Sequence, residues 1–305
     1  MKILISGLVN IETTVPVRQF PVEYYPIDYP FFGVQTAVSG VAYNIAKALR
    51  TLGDDVALLS MTGNDFPADY IRKELENCGI SPAYLTANLR QSPSSVVLYD
   101  PAGKRQIYCD LKDIQECAYD FSAAPLKDAD LIVACNINFN RTLLPLAKAA
   151  GKCIATDVHV LTQVHDEYNR DFMEAADILF LSDEGISGDY RAFLLELART
   201  YHNRIIVLGR GADGVAMYLA QTEQIYEMPA VTVGPVVNTV GAGDALFSAF
   251  VHYFAKGVEP LDALQRAQTF AAAKICVTGA ANGFWSETQL ERWISERNSK
   301  TEGRV

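Results

Sequence analysis

Leu131-Ile132-Val133-Ala134-Cys135, Cys153-Ile154-Ala155-Thr156, Ile178-Leu179-Phe180-Leu181 and Ile205-Ile206-Val207-Leu208 recur along one stretch of the chain, each run short and almost wholly apolar. Between them lie segments of helical spacing: Leu143 to Ala149, a second ending near Ala176, and Arg191 to Tyr201. Strands apolar on both faces and separated by helices predict a parallel sheet covered on each side. The pattern extends outward in both directions. Lys2 to Ser6 predicts a first core strand ending at Gly7, and Asp55 to Ser60 a second. Downstream, strands over Gly214 to Leu219 and Gln224 to Met228 precede a helix with Ala245, Leu246, Phe247, Phe250, Val251 and Phe254 at helical spacing. Helices over Asp262 to Val277 and Glu287 to Ser295 follow, and the polar tail from Asn298 to Val305 is expected to fray.

Two segments break this alternation. Thr13 to Gln35 is rich in Pro, Tyr, Phe and Val and has no helical period; so many aromatics argue against disorder and for extended strands or a covering loop that packs. Ser94 to Tyr99 and Arg105 to Asp110 flank Asp100-Pro101-Ala102-Gly103-Lys104, a strand, tight turn and strand. Together they predict a small β lid, inserted at about 13–37 and 93–112 into a single α/β domain over 1–305. Asn10 and Glu12 follow the first strand's carboxyl end, where open α/β sheets bind ligands.

The chain has 305 residues, half of them apolar, and a formal net charge of −10. Such a surface repels nucleic-acid backbones and acidic membranes, so an anionic substrate must meet a local basic patch. No apolar run is long enough to span a bilayer, and the N-terminal run is too short for a signal peptide, which predicts a cytoplasmic protein. Cys78, Cys109, Cys117, Cys135, Cys153 and Cys276 form no C-x-x-C pair and read as reduced core thiols. The four histidines show no metal spacing.

Ahead of the helix at Ala245 stands Asn238-Thr239-Val240-Gly241-Ala242-Gly243-Asp244. Its glycines bring backbone N–H groups close to a ligand, and the positive helix end lies behind them, a setting that attracts phosphate oxygens. The helix dipole is expected to keep Asp244 ionised, ready to accept a proton from an activated hydroxyl. The same residues also fit a plain glycine turn with Asp244 as a helix cap.

This stretch resembles the C-terminal signature of the ribokinase/PfkB carbohydrate kinase family, Asp-Thr-x-Gly-Ala-Gly-Asp, and differs only at its first position. Val38-Ser39-Gly40-Val41-Ala42-Tyr43-Asn44 resembles the N-terminal signature Gly-Gly-x-x-x-Asn, with Ser39 in place of the first glycine. The resemblance covers nearly the whole chain and implies a ribokinase-like three-layer sandwich with a mostly parallel central sheet and a β lid. It implies an ATP-dependent carbohydrate kinase in which Asp244 is the base and Gly241, Ala242 and Gly243 form the anion hole. Asn10, Glu12, Ser39, Gly40 and Asn44 would be sugar-side contacts, with Glu12 where Asp is usual; the glycine would let the sugar approach.

The nucleotide side matches less closely. The family's Asn-x-x-Glu element falls on Ser182-Asp183-Glu184-Gly185, where Asp183 or Glu184 would hold Mg2+ through water and an ordinary solvated helix start fits equally. Gly211 and Gly214 keep the nucleotide loop's glycines, while Gly209 replaces its usual threonine. Phe270, on the penultimate helix, would stack on adenine if it is not core. In the family the first acid of the C-terminal motif and carbonyls of a late loop, here Gly279 to Gly283, ligate a monovalent cation; the neutral Asn238 puts that cation in doubt.

A nucleoside kinase remains open if lid aromatics stack a base. So does a sugar-phosphate acceptor met by Arg18, Lys104 or Arg105. A ligand-binding homologue that has lost turnover is a further class, suggested by the departures at Ser39, Asn238, Ser182 and Gly209 and opposed by Asp244. The lid also implies a homodimer.

Overall fold

A computed structural model of the chain describes residues 1–302. The elements in order are β1 (Lys2–Ser6), β2 (Asn10–Pro16), β3 (Gln35–Ser39), α1 (Val41–Leu52), β4 (Asp55–Met61), α2 (Phe66–Asn77), β5 (Leu85–Thr86), β6 (Ser94–Tyr99) and β7 (Arg105–Asp110). They continue with β8 (Leu131–Ala134), α3 (Leu143–Ala149), β9 (Cys153–Val160), α4 (Arg170–Ala175), β10 (Ile178–Ser182), α5 (Tyr190–Tyr201), β11 (Ile205–Gly209), β12 (Val215–Leu219) and β13 (Gln224–Met228). Three helices close the chain: α6 (Ala242–Ala255), α7 (Pro260–Lys274) and α8 (Glu287–Glu302).

Nine strands form the main sheet in the order β13-β12-β11-β10-β9-β8-β1-β4-β5. It is parallel from β5 to β11, and β12 and β13 add an antiparallel edge. The period of two in each strand decides which layer a side chain joins. In β1, Ile3 and Ile5 enter a core with Ala42, Ile45 and Leu49 of α1, Phe247 and Phe250 of α6, and Leu264 of α7. Leu4 points the other way, into a core with Leu143 of α3, Phe172 of α4 and Leu194 of α5. Each such buried side chain contributes about 1.5–3 kcal/mol. Three layers therefore follow from strands that are apolar on both faces. Phe180 of β10 ties the sheet to α6, meeting Phe247 edge to face with ring centroids 5.0 Å apart.

A second sheet holds four strands in the order β3-β2-β6-β7. The β6–β7 hairpin turns at Gly103, whose φ of 83° a glycine adopts without strain. Residues 17–34 connect β2 to β3 with no strand or α-helix among them, and their aromatics differ from the packed cover expected of them: Tyr24, Phe31 and Phe32 are 88%, 84% and 98% exposed. The thiols also depart from expectation. All six cysteines are free, but only Cys135 is fully buried, and Cys109 is exposed on β7. The final helix runs on to Glu302 where fraying was expected from Asn298; the last three residues lie outside the described residues. No helix is long and apolar enough to cross a membrane among the described residues.

Candidate functional site

The carboxyl ends of β9, β10 and β11, the bend before α6 and one side of α7 enclose a cleft of about 780 Å³. It brings together residues far apart in sequence: Asp244, Gly241, Ala242 and Gly243 with Ser182, Asp183, Glu184, Gly209, Gly211 and Gly214. Gly241 caps α6 at φ 78°, and a Cβ there would stand 2.2 Å from the Ala280 carbonyl oxygen, so only glycine lets the bend close against residues 279–283. The Asn238 side-chain oxygen accepts from the Val240 amide at 2.7 Å and fixes the turn.

The anion-hole expectation needs one correction. The Ala242 amide already donates to the Thr239 carbonyl (3.1 Å), whereas the amides of Gly241, Gly243 and Asp244 have no acceptor among the described residues. Gly243 and Asp244 lie in the first turn of a 14-residue helix, where unpaired N–H groups and the dipole favour an anion. The capping alternative fails, since the Asp244 carboxylate accepts no backbone N–H. Its partner is Asn44 of α1, whose Nδ2 donates to Oδ2 at 2.7 Å.

Burial pushes the Asp244 carboxyl above its ordinary pKa, opposed by the Asn44 hydrogen bond and by the charges of His159 and Lys274, and reinforced by Asp157. Desolvation is the largest cause, and it acts in the direction opposite to the lowering expected from the helix dipole. Glu12 shifts in the same direction, chiefly by burial; Ser39 and Arg105 oppose the shift and Asp244 adds to it. The two carboxylates thus lie within each other's field.

On the acceptor side, β2, β3 and α1 bring Asn10, Glu12, Ser39, Gly40 and Asn44 together. Asn10 Nδ2 donates to Ser95 Oγ at 3.1 Å, and Ser39 Oγ donates to Glu12 at 3.3 Å. The side-chain carbonyl oxygens of Asn10 and Asn44 are buried with no partner among the described residues. An orphaned acceptor costs roughly 1–3 kcal/mol, which makes these two oxygens natural receivers of ligand hydroxyls. At Gly40, φ is 102° and a Cβ would lie 2.5 Å from the Leu8 carbonyl oxygen, so the packing of chain against chain already requires glycine there.

On the nucleotide side, Gly214 has φ 91° and its Cβ would meet the Met228 carbonyl at 2.1 Å, while Gly211 at φ 52° faces open space. Ser182 Oγ accepts from the Glu184 amide at 3.3 Å, turning Asp183 and Glu184 toward the cleft rim. Asp183 and Glu184 belong to no three-ligand cluster among the described residues. Phe270 must be corrected. It is fully buried, stacked on Phe284 at 5.5 Å, and takes no part in the cleft wall, because it shares the core face of α7 with Ala267 and Lys274.

Three further residues, Asp157, His159 and Lys274, enter the site that the sequence reading did not place there, and of the three lid cations it named the cleft takes Arg105. Asp157 and His159 end β9 in the cleft, with His159 at φ 61° and its amide donating to Asp157 at 2.8 Å. Their place at a parallel strand's carboxyl end was the signal for them. Arg105 lines the cleft from the small sheet, whereas Arg18 pairs with Asp28 at 3.1 Å and stacks on Tyr25. Lys274 lies beneath the bend, and a lysine in line with Ala267 and Phe270 on an apolar face was the clue.

This fold and this site define a small-molecule phosphotransferase of the three-layer α/β class. The chain belongs to the pfkB family of carbohydrate kinases, whose profile matches residues 2–287. It is 23% identical over 316 residues to a deoxyribokinase of Salmonella typhi, covering 97% of this chain and 99% of that one. A microbiome-derived acarbose kinase superimposes with a TM-score of 0.85 at 23% identity over 95% and 97% of the two chains. A Burkholderia thailandensis nucleoside kinase in complex with inosine gives 0.80 at 18% identity over 97% and 96%. At these identities the two structures speak for the ribokinase-like fold alone. The family makes this chain an ATP-dependent carbohydrate kinase.

Proposed function

We propose that the chain transfers the γ-phosphate of ATP to a hydroxyl of a small sugar, with Asp244 as the base. The observation that carries this reading is the Asn44–Asp244 pair. One carboxylate is held at 2.7 Å by an acceptor-side amide and stands in the first turn of α6 beside unpaired N–H groups at the cleft. A sugar hydroxyl donating to Asp244 loses its proton to that carboxylate as its oxygen bonds to the γ-phosphorus. The bond from the γ-phosphorus to its bridging oxygen breaks, and ADP leaves. The Gly243 and Asp244 amides receive the charge on the phosphoryl oxygens. Raised by burial, Asp244 is a stronger base than a solvated carboxylate.

Mg2+ would neutralise the phosphates when bound. Asp183 or Glu184, carboxylates at the rim, would hold it through its own waters, as a reluctantly dehydrated cation requires. Gly209, Gly211 and Gly214 offer a nucleotide backbone-lined space.

A second reading rests on Arg105, a lid cation in the cleft wall within the field of Glu12: an acceptor that already carries an anionic group. ADP release measured against free sugars, sugar phosphates and nucleosides separates these readings. Turnover with a neutral sugar supports the first, turnover with sugar phosphates alone the second, and turnover with nucleosides alone would displace both. Uniform inactivity with tight ATP binding would favour the homologue that has lost turnover. The fully exposed β7 and the exposed aromatics of residues 17–34 support a homodimer through the small sheet, which light scattering in solution tests.

A further inference from the structure

Lys274 is 0% exposed, and its Nζ has no hydrogen-bond acceptor among the described residues. It closes α7, and the next residue anchors the bend: the Val237 and Asn238 amides both donate to the Ile275 carbonyl, at 2.8 and 3.1 Å. Burial lowers the pKa of the Lys274 ammonium to about 8, and the Asp244 carboxylate opposes that shift. A buried ammonium without a partner is expensive unless another charge compensates it, and such groups concentrate at functional sites. Here the compensating charges are the Asp244 carboxylate and, on the kinase reading above, the phosphates that arrive beside it.

The monovalent cation implied by the family does not fit these residues. Such an ion is held best where a formal negative charge is among its oxygens. The Asn238 side-chain oxygen is neutral and already accepts the Val240 amide, and the Ile275 carbonyl has both lone pairs taken by amides. A loose cation would also share this neighbourhood with a buried ammonium of the same sign.

We propose that Lys274 is a built-in cation for the 238–244 bend, a positioning residue that offsets the negative charge gathered at Asp244 and the transferred phosphoryl group, so that the protein works without a monovalent ion. The inference rests on the kinase reading only for its catalytic arm.

Two measurements on the full chain test it. Wild-type melting temperature and affinity for a non-hydrolysable ATP analogue are compared in potassium and tetramethylammonium chloride at matched ionic strength. No difference is expected, and a potassium-specific gain in either would overturn the proposal without touching the kinase assignment. Once an acceptor is in hand, Lys274→Met should lower kcat about 100-fold with a small change in the KM of the sugar. Lys274→Arg should restore much of that loss, and potassium or ammonium ions should raise the kcat of Lys274→Met by about tenfold or more. A Lys274→Met protein with wild-type kcat, or one that neither ions nor Lys274→Arg rescue, shows a lysine with a structural role alone and overturns the proposal. Should Lys274→Met fail to fold, the wild-type ion comparison and Lys274→Arg still decide. If no acceptor is ever phosphorylated, the kinase reading fails while the binding comparison still stands.

Discussion

The two sides of Asp244 are built from different material. Toward the acceptor, the site is side chains: Asn10, Glu12, Ser39 and Asn44 bond to Ser95, to one another and to Asp244, and leave two buried oxygens over. Around the cleft, Gly209, Gly211, Gly214, Gly241 and Gly243 bare the backbone between side chains such as Asp157, His159, Asp183 and Glu184, and the Gly241, Gly243 and Asp244 amides have no acceptor among the described residues. Backbone amides recognise any phosphate, whereas side-chain donors and acceptors at fixed positions discriminate among hydroxyls. On the proposed kinase reading, one half carries the general chemistry of a phosphoryl donor and the other the choice of acceptor, with Asp244 at their meeting point.

The sharpest break in that comparison is Asp244→Asn. It keeps an oxygen for the Asn44 amide and leaves the bend in place, yet removes the proton acceptor. Turnover should fall by about 1,000-fold or more, while calorimetry finds ATP affinity within a few-fold of wild type. An unchanged kcat would mean that the base lies elsewhere, and lost ATP binding would mean that the two halves are not separable.

Asn44→Leu tests the joint from the acceptor side. It removes a charge-assisted hydrogen bond and an orphaned acceptor together, so kcat/KM for the acceptor should fall by about 10- to 100-fold. The pH profile supplies the second readout. A base must be deprotonated to act, so activity is lost as pH falls through the Asp244 pKa, which burial has already raised. The Asn44 bond opposes that rise; without it the pKa climbs further and the acid limb moves to higher pH. A limb that stays still or moves down would detach Asn44 from Asp244.

The same contrast governs what could be read from the chain alone. The main sheet was legible because its strands are apolar on both faces, a pattern a surface strand does not share, and the β6–β7 hairpin because a turn sequence sits between two alternating runs. The bend before α6 was legible from Gly241-Ala242-Gly243-Asp244 ahead of an apolar run at helical spacing, although what holds Gly241 to glycine is the Ala280 carbonyl across the fold. What stayed hidden depends on contacts across the fold. The Ala242 amide looks as free as its neighbours until Thr239 is placed beneath it, and the Leu8 carbonyl that holds Gly40 to glycine cannot be read from the chain. Arg105 was one of three lid cations, and only the placement of β7 over the cleft separates it from Arg18 and Lys104.

Phe270 gives the smallest effect on activity and the clearest control. An adenine platform would have to present a ring face to the cleft, and the Phe270 face is taken by Phe284 at an interplanar angle of 12°. Its neighbours one turn on either side, Ala267 and Lys274, are buried as well, whereas the cleft is walled by Gln268, Ala271, Ala272 and Ile275, a different side of the same helix. Phe270→Leu should therefore cost about 1–2 kcal/mol of stability through lost ring contact and imperfect packing, read as a lower melting temperature. The KM for ATP should not move, because the residues that wall the nucleotide side keep their places. A KM raised several-fold in a protein that melts normally would return Phe270 to the nucleotide and give the backbone half of the site an aromatic side chain after all.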